Sequence, residues 1–335
     1  MPENSSPHDA VAPPLPGWLS GIFFTRVSIR LRACESGRLR RFRTSMLRGW
    51  LSYQLKSLCP CRIIRGLTPE RCTLQNTCAY SAFFGERILS TIPRPYVLAM
   101  DPLREDGEDA FSENDELLLG LTLIGRGTEY LDGLISAVVK SRDLVHLGRD
   151  HLTFAIHGIE TLDAAKTPHP YYRAGYIVGY PEILTVDTLL RESQIAVRHD
   201  STLRITFDTP LALKEGNKLV KTHAGITFEL LVRATLRRLY DIAVHLCAYR
   251  GTKPAFQAIL EQAHQVKTLH TAQEWIDFRR FSSRQRRFMN FGGFVGGLEV
   301  AGSWSPLLPY LLLGAQLHVG RRTTFGFGSY QLHWE

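Results

Sequence analysis

Residues 314–330 read GAQLHVGRRTTFGFGSY. Within them Gly320, five residues, Gly326, Phe327 and Gly328 follow an apolar run, Leu307 to Leu317, that reads as a helix. The stretch Gly328 to Trp334 then reads as a strand. This order excludes two common phosphate loops. A Walker loop needs a strand before it, a helix after it and a Gly-Lys-Ser/Thr end, and a Rossmann fingerprint likewise follows a strand and opens a helix. The chain therefore closes in the order helix, loop, strand. Glycines allow positive φ and close approach of another backbone, so such a loop can offer N–H groups to phosphates. Arg321 and Arg322 add charge there, and Thr323 and Thr324 add hydroxyls. A tight helix-to-strand turn that holds no ligand would use the same glycines.

Outward from the loop, Trp275 to Arg280 and Phe291 to Val300 read as a hairpin. Ile226 to Ala248 is a helix: Phe228, Val232, Leu236, Leu239, Ala243 and Leu246 keep a three-four rhythm, and Arg233 and Arg237 share another face. Ala255 to Val266 adds a short helix, and Leu203 to Leu213 is the strand that opens this half. The first half has the same order. Gly21 to Ala33 (GIFFTRVSIRLRA) alternates as a strand, and Arg43 to Leu58 is a helix with Leu47, Leu51, Leu55 and Leu58 on its stripe. Arg94 to Met100 and Glu116 to Ile124 are strands, Tyr130 to Lys140 is a helix, and His151 to Leu162 closes the unit. Strand, helix, strand, strand, helix, strand is the split βαβ arrangement. The expected fold is α+β: two tandem ferredoxin-like (RRM-like, βαββαβ) domains with a glycine-rich loop near the C-terminus. The domains are expected at 18–163 and 201–335, after a disordered lead-in at 1–17 and joined by a linker at 164–200 with a short helix near Val186. The claim rests on element order, because identity between the halves is negligible.

At 335 residues the chain is long for a single core. A hydrophobic content of 44% with 21% charged residues is ordinary for a globular protein. The formal charge is +8. Arg38, Arg40, Arg41, Arg43 and Arg48 cluster, as do Arg279, Arg280, Arg284, Arg286 and Arg287. Guanidinium groups pair bidentately with phosphate and stack on bases, so these clusters suit RNA as well as a solvated surface. In the second cluster, RRFSSRQRRF, Phe281 and Phe288 alternate with the cations as base-stacking rings would. No apolar run reaches the roughly 20 residues of a membrane span, and the start lacks the basic and apolar regions of a signal peptide. A cytoplasmic protein without a membrane role is expected. Cys59, Cys61, Cys72 and Cys78 fall within twenty residues. They could hold a structural zinc, although the spacing is not that of a standard ribbon, and a mix of buried and free thiols is the alternative. Cys34 and Cys247 read as small core residues.

The glycine pattern before the last strand resembles the signature of the RAMP superfamily of CRISPR-associated proteins. The wider sequence is similar to its precursor-crRNA processing endoribonuclease family. Matching stretches are Phe42 to Leu55 with Leu47 to Gly49, Cys78-Ala79-Tyr80, Pro93 to Tyr96, Leu119 to Tyr130, Phe207 to Lys214 and Arg280 to Gly297. The resemblance covers Gly21 to the C-terminus. It implies binding and metal-independent cleavage of a CRISPR repeat RNA, with no catalytic cofactor. The ribose 2′-OH attacks the scissile phosphate to leave a 2′,3′-cyclic phosphate and a 5′-OH. The alternative is a non-catalytic RAMP RNA-binding subunit of a CRISPR effector complex.

The resemblance implies a histidine on the first helix, as many relatives carry, and Arg38 to Leu58 contains none. His318, two residues before Gly320, matches a His-x-Gly-basic pattern and is the candidate general base, with a helix cap as its other reading. Arg321 and Arg48 are the candidate catalytic cations. Arg43, Arg279, Arg280, Arg284, Arg286, Arg287, Gly320, Arg322, Thr323, Gly326 and Gly328 are the candidate RNA-binding residues. His146, His151 and His157 read as structural or surface groups, and His199 is a weaker reserve.

Overall fold

A computed structural model describes residues 15–59, 71–74, 77–85, 92–99, 107–140, 144–148, 150–173, 175–193, 202–216, 218–221, 225–282 and 287–334. The expected lead-in falls outside these residues up to position 14, and His199 lies outside them too. In the first domain the elements are β1 (Phe23–Ala33), α1 (Thr44–Ser57), α2 (Ala79–Phe84), β2 (Tyr96–Ala99), β3 (Glu116–Ile124), α3 (Leu131–Val139) and β4 (Leu152–Leu162). Next come β5 (Pro168–Arg173), β6 (Tyr176–Ile177), β7 (Leu184–Thr185) and α4 (Val186–Glu192). The second domain comprises β8 (Thr202–Leu211), α5 (Phe228–Leu246), α6 (Gln257–Gln265), β9 (Lys267–Ser282), β10 (Arg287–Ala301), α7 (Leu308–Leu317) and β11 (Tyr330–Trp334).

The two sheets have one topology. The first runs β2-β3-β1-β4 before its additions, and the second runs β9-β10-β8-β11, antiparallel throughout. In each, the opening strand is central. Ile29 of β1 faces Leu119 and Ile159 across the ladders, and Ile205 of β8 faces Leu298 and Leu332. Both isoleucines are sealed from solvent, as the middle strand of a helix-covered sheet requires. The βαββαβ reading therefore holds for both halves.

The stripe read on α5 is buried at all six of its positions, and Thr227 caps the helix by accepting a hydrogen bond from the Leu230 amide at 3.2 Å. On α1, Leu47, Leu51 and Leu55 are buried, but the helix ends at Ser57 and Leu58 faces solvent. The hairpin β9–β10 is longer than expected, because pairing continues from Phe281↔Phe288 down to Lys267↔Ala301. Cys34 is exposed just beyond the end of β1, which corrects its reading as a core residue.

The segment expected as a linker is built into the fold. β5 pairs with β4, β6 with β5, and β7 with the start of β1 through Phe24↔Leu184. The short helix near Val186 is α4, and Thr185 and Thr188 cap it reciprocally. Its Val186 and Leu189 join a core that crosses the domain junction and includes Trp18, Leu19 and Phe24 from one domain and Leu231, Leu311 and Leu317 from the other. Arg26 of β1 is buried at the same junction, donating to Gln316 Oε1 at 3.0 Å and to the Asp163 carbonyl. Among the described residues, no helix is long and apolar enough to cross a membrane.

A second junction is aromatic. Phe42, just before α1, packs with Phe278, Phe291 and Phe327 at centroid distances of 5.5, 6.0 and 5.5 Å. Phe327 is fully buried there. Replacing Phe327 with alanine should cost about 3–5 kcal/mol, the range for a buried aromatic. Urea unfolding of the variant should show its midpoint well below that of the wild type; an unchanged midpoint would mean that this contact does not hold the junction.

Candidate nucleic-acid interface

The turn that leaves α7 is set by backbone chemistry. His318 caps the helix with φ 55°, ψ 146°, and its Nδ1 donates to the Phe327 carbonyl at 3.1 Å. The chain then doubles back on itself: Val319 N–H donates to Gly328 at 2.9 Å, and Gly328 N–H donates to Pro210 at 3.2 Å. Arg321 N–H donates to the Ala212 carbonyl at 3.0 Å, so the loop is fastened to the end of β8. A Cβ on Gly328 would lie 1.9 Å from the Val319 oxygen, at a φ of +81° that other residues rarely adopt. On Gly320, at φ +90°, a Cβ would lie 2.6 Å from the Ala212 oxygen. A one-turn 3-10 helix, Thr323–Phe325, completes the loop between Arg322 and Gly326, both left-handed.

This geometry corrects one expectation. The amides of Val319, Arg321, Phe325, Gly326, Phe327 and Gly328 all donate to carbonyls of the protein. Gly326, Gly328 and Thr323 are buried. The glycines thus serve close packing and the placing of Phe327, rather than a cradle of amides open to phosphate. What the loop offers outward is Gly320, the exposed Arg321, and Thr324. Arg322 is half-buried: its guanidinium sits 4.3 Å from the Phe291 ring centroid and donates to the Asn290 and Gly292 carbonyls.

His318 also changes role. Its ring is 3% exposed. Burial, together with the nearby Arg238 cation, pushes its pKa down to about 4 despite the bond to Phe327. A neutral imidazole sealed beneath the loop cannot meet a ribose hydroxyl, so the reading as general base is corrected to a neutral cap that ties the helix end to the loop. Arg238 completes the cap by donating to the Leu317 carbonyl at 3.3 Å.

The loop meets the first domain. Thr44, at the start of α1, donates through Oγ1 to the Phe325 carbonyl at 2.8 Å. One turn later, Arg48 lies between two rings, 5.1 Å from the Phe84 centroid and 4.7 Å from that of Phe325. Arg48 and the loop are therefore brought together as the sequence suggested. Arg43 is held differently: its guanidinium pairs with Asp109 at 2.6 Å, which also takes Arg41 at 2.9 Å.

From this meeting point a groove of about 1260 Å³ runs between the loop and α5. Arg94, Lys214, Arg233, Arg237, Lys253 and Arg321 are among its cations. Sequence reasoning placed Arg233 and Arg237 on the polar face of their helix without giving them a role. Their spacing of four, opposite the apolar stripe, was the available signal; nothing local marked Arg94, Lys214 or Lys253.

The arginine-rich hairpin is only partly described. Arg284 and Arg286 lie outside the described residues, Arg279 and Arg280 occupy β9 opposite Asn290 and Met289, and Arg287 is exposed. Phe288 is exposed beside it. Among the other histidines, His146 Nδ1 lies 3.1 Å from Thr153 Oγ1 and His157 Nε2 lies 3.1 Å from Arg32 Nη2; both are exposed, as is His151. The sulfurs of Cys59 and Cys78 approach to 3.4 Å, and Cys72 is buried. Cys61 lies outside the described residues, and among those described no group of three His, Cys, Asp or Glu could hold a metal.

Residues 205–330, the second domain with its loop, match the family model described as CRISPR-associated endoribonuclease Cas6. Within this domain the chain is similar to the Cas6 family. Residues 19–182 match a second model, described as an N-terminal domain. No curated protein matches. Among solved structures, a partial Cas6-RT-Cas1–Cas2 complex aligns with a TM-score of 0.56 at 14% identity, over 94% of this chain and 46% of that one. The chain thus spans about half the length of that protein. A Cas6 product complex aligns with a TM-score of 0.53 at 15% identity, over 93% and 99% of the two chains. Thermus thermophilus Cas6 aligns over the same shares at 15% identity, with a TM-score of 0.50. At these identities the likeness is one of fold, and it agrees with the paired sheets.

The state of His318 has a measurable consequence. Its folded pKa lies below the ordinary 6.5, so between pH 6.5 and about 4 the unfolded chain binds more protons than the folded one. The stabilisation is complete above pH 6.5 and is lost as pH falls towards 4, by up to roughly 3 kcal/mol. Urea unfolding of wild type and His318→Asn across this range should give a steeper decline for wild type. Parallel declines would place the titrating group elsewhere.

Proposed function

We propose that this chain is a Cas6-type endoribonuclease that cuts CRISPR repeat RNA and so processes precursor crRNA. One arrangement carries the reading: a basic groove lined by the glycine loop and α5 of one domain and by Ile92, Pro93 and Arg94 of the other, beside the point where Thr44 of the first helix meets the loop. RNA laid there would bring a backbone phosphate to cations from both domains. Phosphate contacts of this kind fix register on the nucleic acid without reading its sequence.

The chemistry follows from what faces the phosphate. The 2′-oxygen bonds to phosphorus as the bond from phosphorus to the 5′ oxygen breaks. One proton leaves the 2′-OH and one reaches the departing oxygen, giving a 2′,3′-cyclic phosphate and a 5′-OH. Arg48 and Arg321 would offset the charge that builds on the phosphoryl oxygens, usually the largest single contribution of a preorganised site. With His318 sealed, the site forgoes the roughly 10²–10⁴-fold that a positioned acid or base supplies. A slow enzyme that makes one turnover and retains its product fits this economy of groups. Metal independence belongs to the same proposal.

A second reading, an RNA-binding subunit of a CRISPR effector complex, is favoured by the same sealed histidine. One assay separates them. Repeat RNA incubated with the protein in EDTA should be cut to a cyclic phosphate end, and a copy with deoxyribose at the scissile position should stay intact. Tight binding with no cutting of either RNA would decide for the non-catalytic subunit.

A further inference from the structure

Several arginines have a carboxylate, while Arg26, Arg238 and Arg322 give their hydrogen bonds to carbonyls or an amide oxygen. Arg30 pairs with Glu160, Arg41 and Arg43 with Asp109, Arg204 with Glu299, and Arg233 with Glu229. Arg48 and Arg94 do not. Among the described residues neither has an ion-pair partner, yet both are half-buried and close enough to repel. Burial first, and the Arg48 cation after it, lower the affinity of Arg94 for its proton, with Tyr96 opposing them.

Their setting is built rather than incidental. Arg94 precedes β2 between two prolines, Pro93 and Pro95, which restrict the backbone on either side. Its Nη2 donates to the Gly85 carbonyl at 2.7 Å, where α2 ends, so the guanidinium is fixed. Its Nη1 is buried without a hydrogen-bond partner. So is Nε of Arg48. The Tyr96 hydroxyl neighbours both guanidinium groups, within hydrogen-bond reach of Arg48 and of Thr324 in the loop. The walls are apolar: Phe84 and Phe325 clamp Arg48, and Phe83 stacks on Tyr96 at 5.0 Å.

Two guanidinium groups behind aromatic walls, with orphaned N–H groups and no carboxylate, make a costly arrangement for a protein alone. An anion with several oxygens would offset both charges and satisfy the donors. Arg94 and Thr324 both line the basic groove, so such an anion can approach from it. Arg322 is less suited to the task, since its donors already serve Asn290 and Gly292.

The geometry points to a phosphate subsite formed by Arg94 and Arg48 at the end of the groove, with Thr324 at its rim, taking one backbone phosphodiester of bound RNA. Arg94 is its fixed arm and Arg48 its ring-clamped arm. Tyr96 is a positioning residue: it is fully buried, burial keeps its phenol protonated, and it lies beside both cations. The subsite rests on the reading of the chain as an RNA-binding Cas6 protein, and extends it to a residue outside the loop and the first helix.

The test is the salt dependence of repeat-RNA affinity for the full chain, compared for wild type, Arg94→Gln and Arg94→Lys. Loss of one phosphate contact lowers the slope of log K against log salt by about 0.7 for single strands and about 0.9 for duplex. Arg94→Gln should show that loss, and Arg94→Lys, which keeps the charge, should retain the slope. A role confined to the Gly85 bond would alter stability in both variants and the slope in neither, and that result overturns the subsite. If Arg94→Gln does not fold, Arg94→Lys decides alone: its lost guanidinium fork should weaken binding at least fivefold, and wild-type affinity would refute the proposal. Wild-type protein that binds no RNA would bring down the proposed function and the subsite together.

Discussion

One buried phenylalanine packs the glycine loop, a wall of the groove, against the first domain. Phe327 stands between glycines, and the backbone around it folds tightly enough to drive the ring into Phe42, Phe278 and Phe291. Without that insertion the loop would have no reason to lie against the first helix. Thr44 would not reach the Phe325 carbonyl, and Arg48 would lose one of its two rings. The larger junction, running from Trp18 through Val186 to Leu311, fixes the mutual orientation of the two domains. The aromatic contact sets where their cations meet.

Charge is distributed unevenly over this frame. The first arginine cluster looks uniform in sequence, yet Asp109 takes up Arg41 and Arg43 while Arg48, one helical turn further, is left to aromatic rings. Partly exposed pairs such as those of Asp109 contribute little stability, typically 0–1 kcal/mol each, and they tie two guanidinium groups to one carboxylate. Arg26 and Arg238 each donate to α7, Arg26 to Gln316 Oε1 and Arg238 to the Leu317 carbonyl. The cations along the groove come from both domains, and Arg38, Arg40 and Arg287 are exposed away from it.

Much of the architecture was legible because it follows from periodicity. The stripe on α5 and the alternation of β1 and β8 are repeating patterns, and two matching element orders imply two matching sheets. The segment at 164–200 was misread because its proline and tyrosine content resembles a loop. Its strands are short additions whose pairing depends on β1 and β4 already being in place. The site was legible only in part. The loop and Arg48 could be found, but the sealing of His318 could not, because the local pattern His-x-Gly-basic is the same whether the ring faces water or the core. Burial there depends on the return of Gly328 over Val319, a contact nine residues apart that carries no local sequence signal. Arg94 was quoted only as part of a motif, since what distinguishes it, a missing carboxylate, is a property of the fold.

The central claim is that RNA lies in the groove between the glycine loop and α5. Photocrosslinking of repeat RNA carrying 4-thiouridine, with the attached peptides mapped by mass spectrometry, tests it directly. Attachment concentrated in residues 212–216, 230–241 and 320–325 is the predicted result. Attachment confined to the far edge of the first sheet, around residues 168–177, would contradict the account.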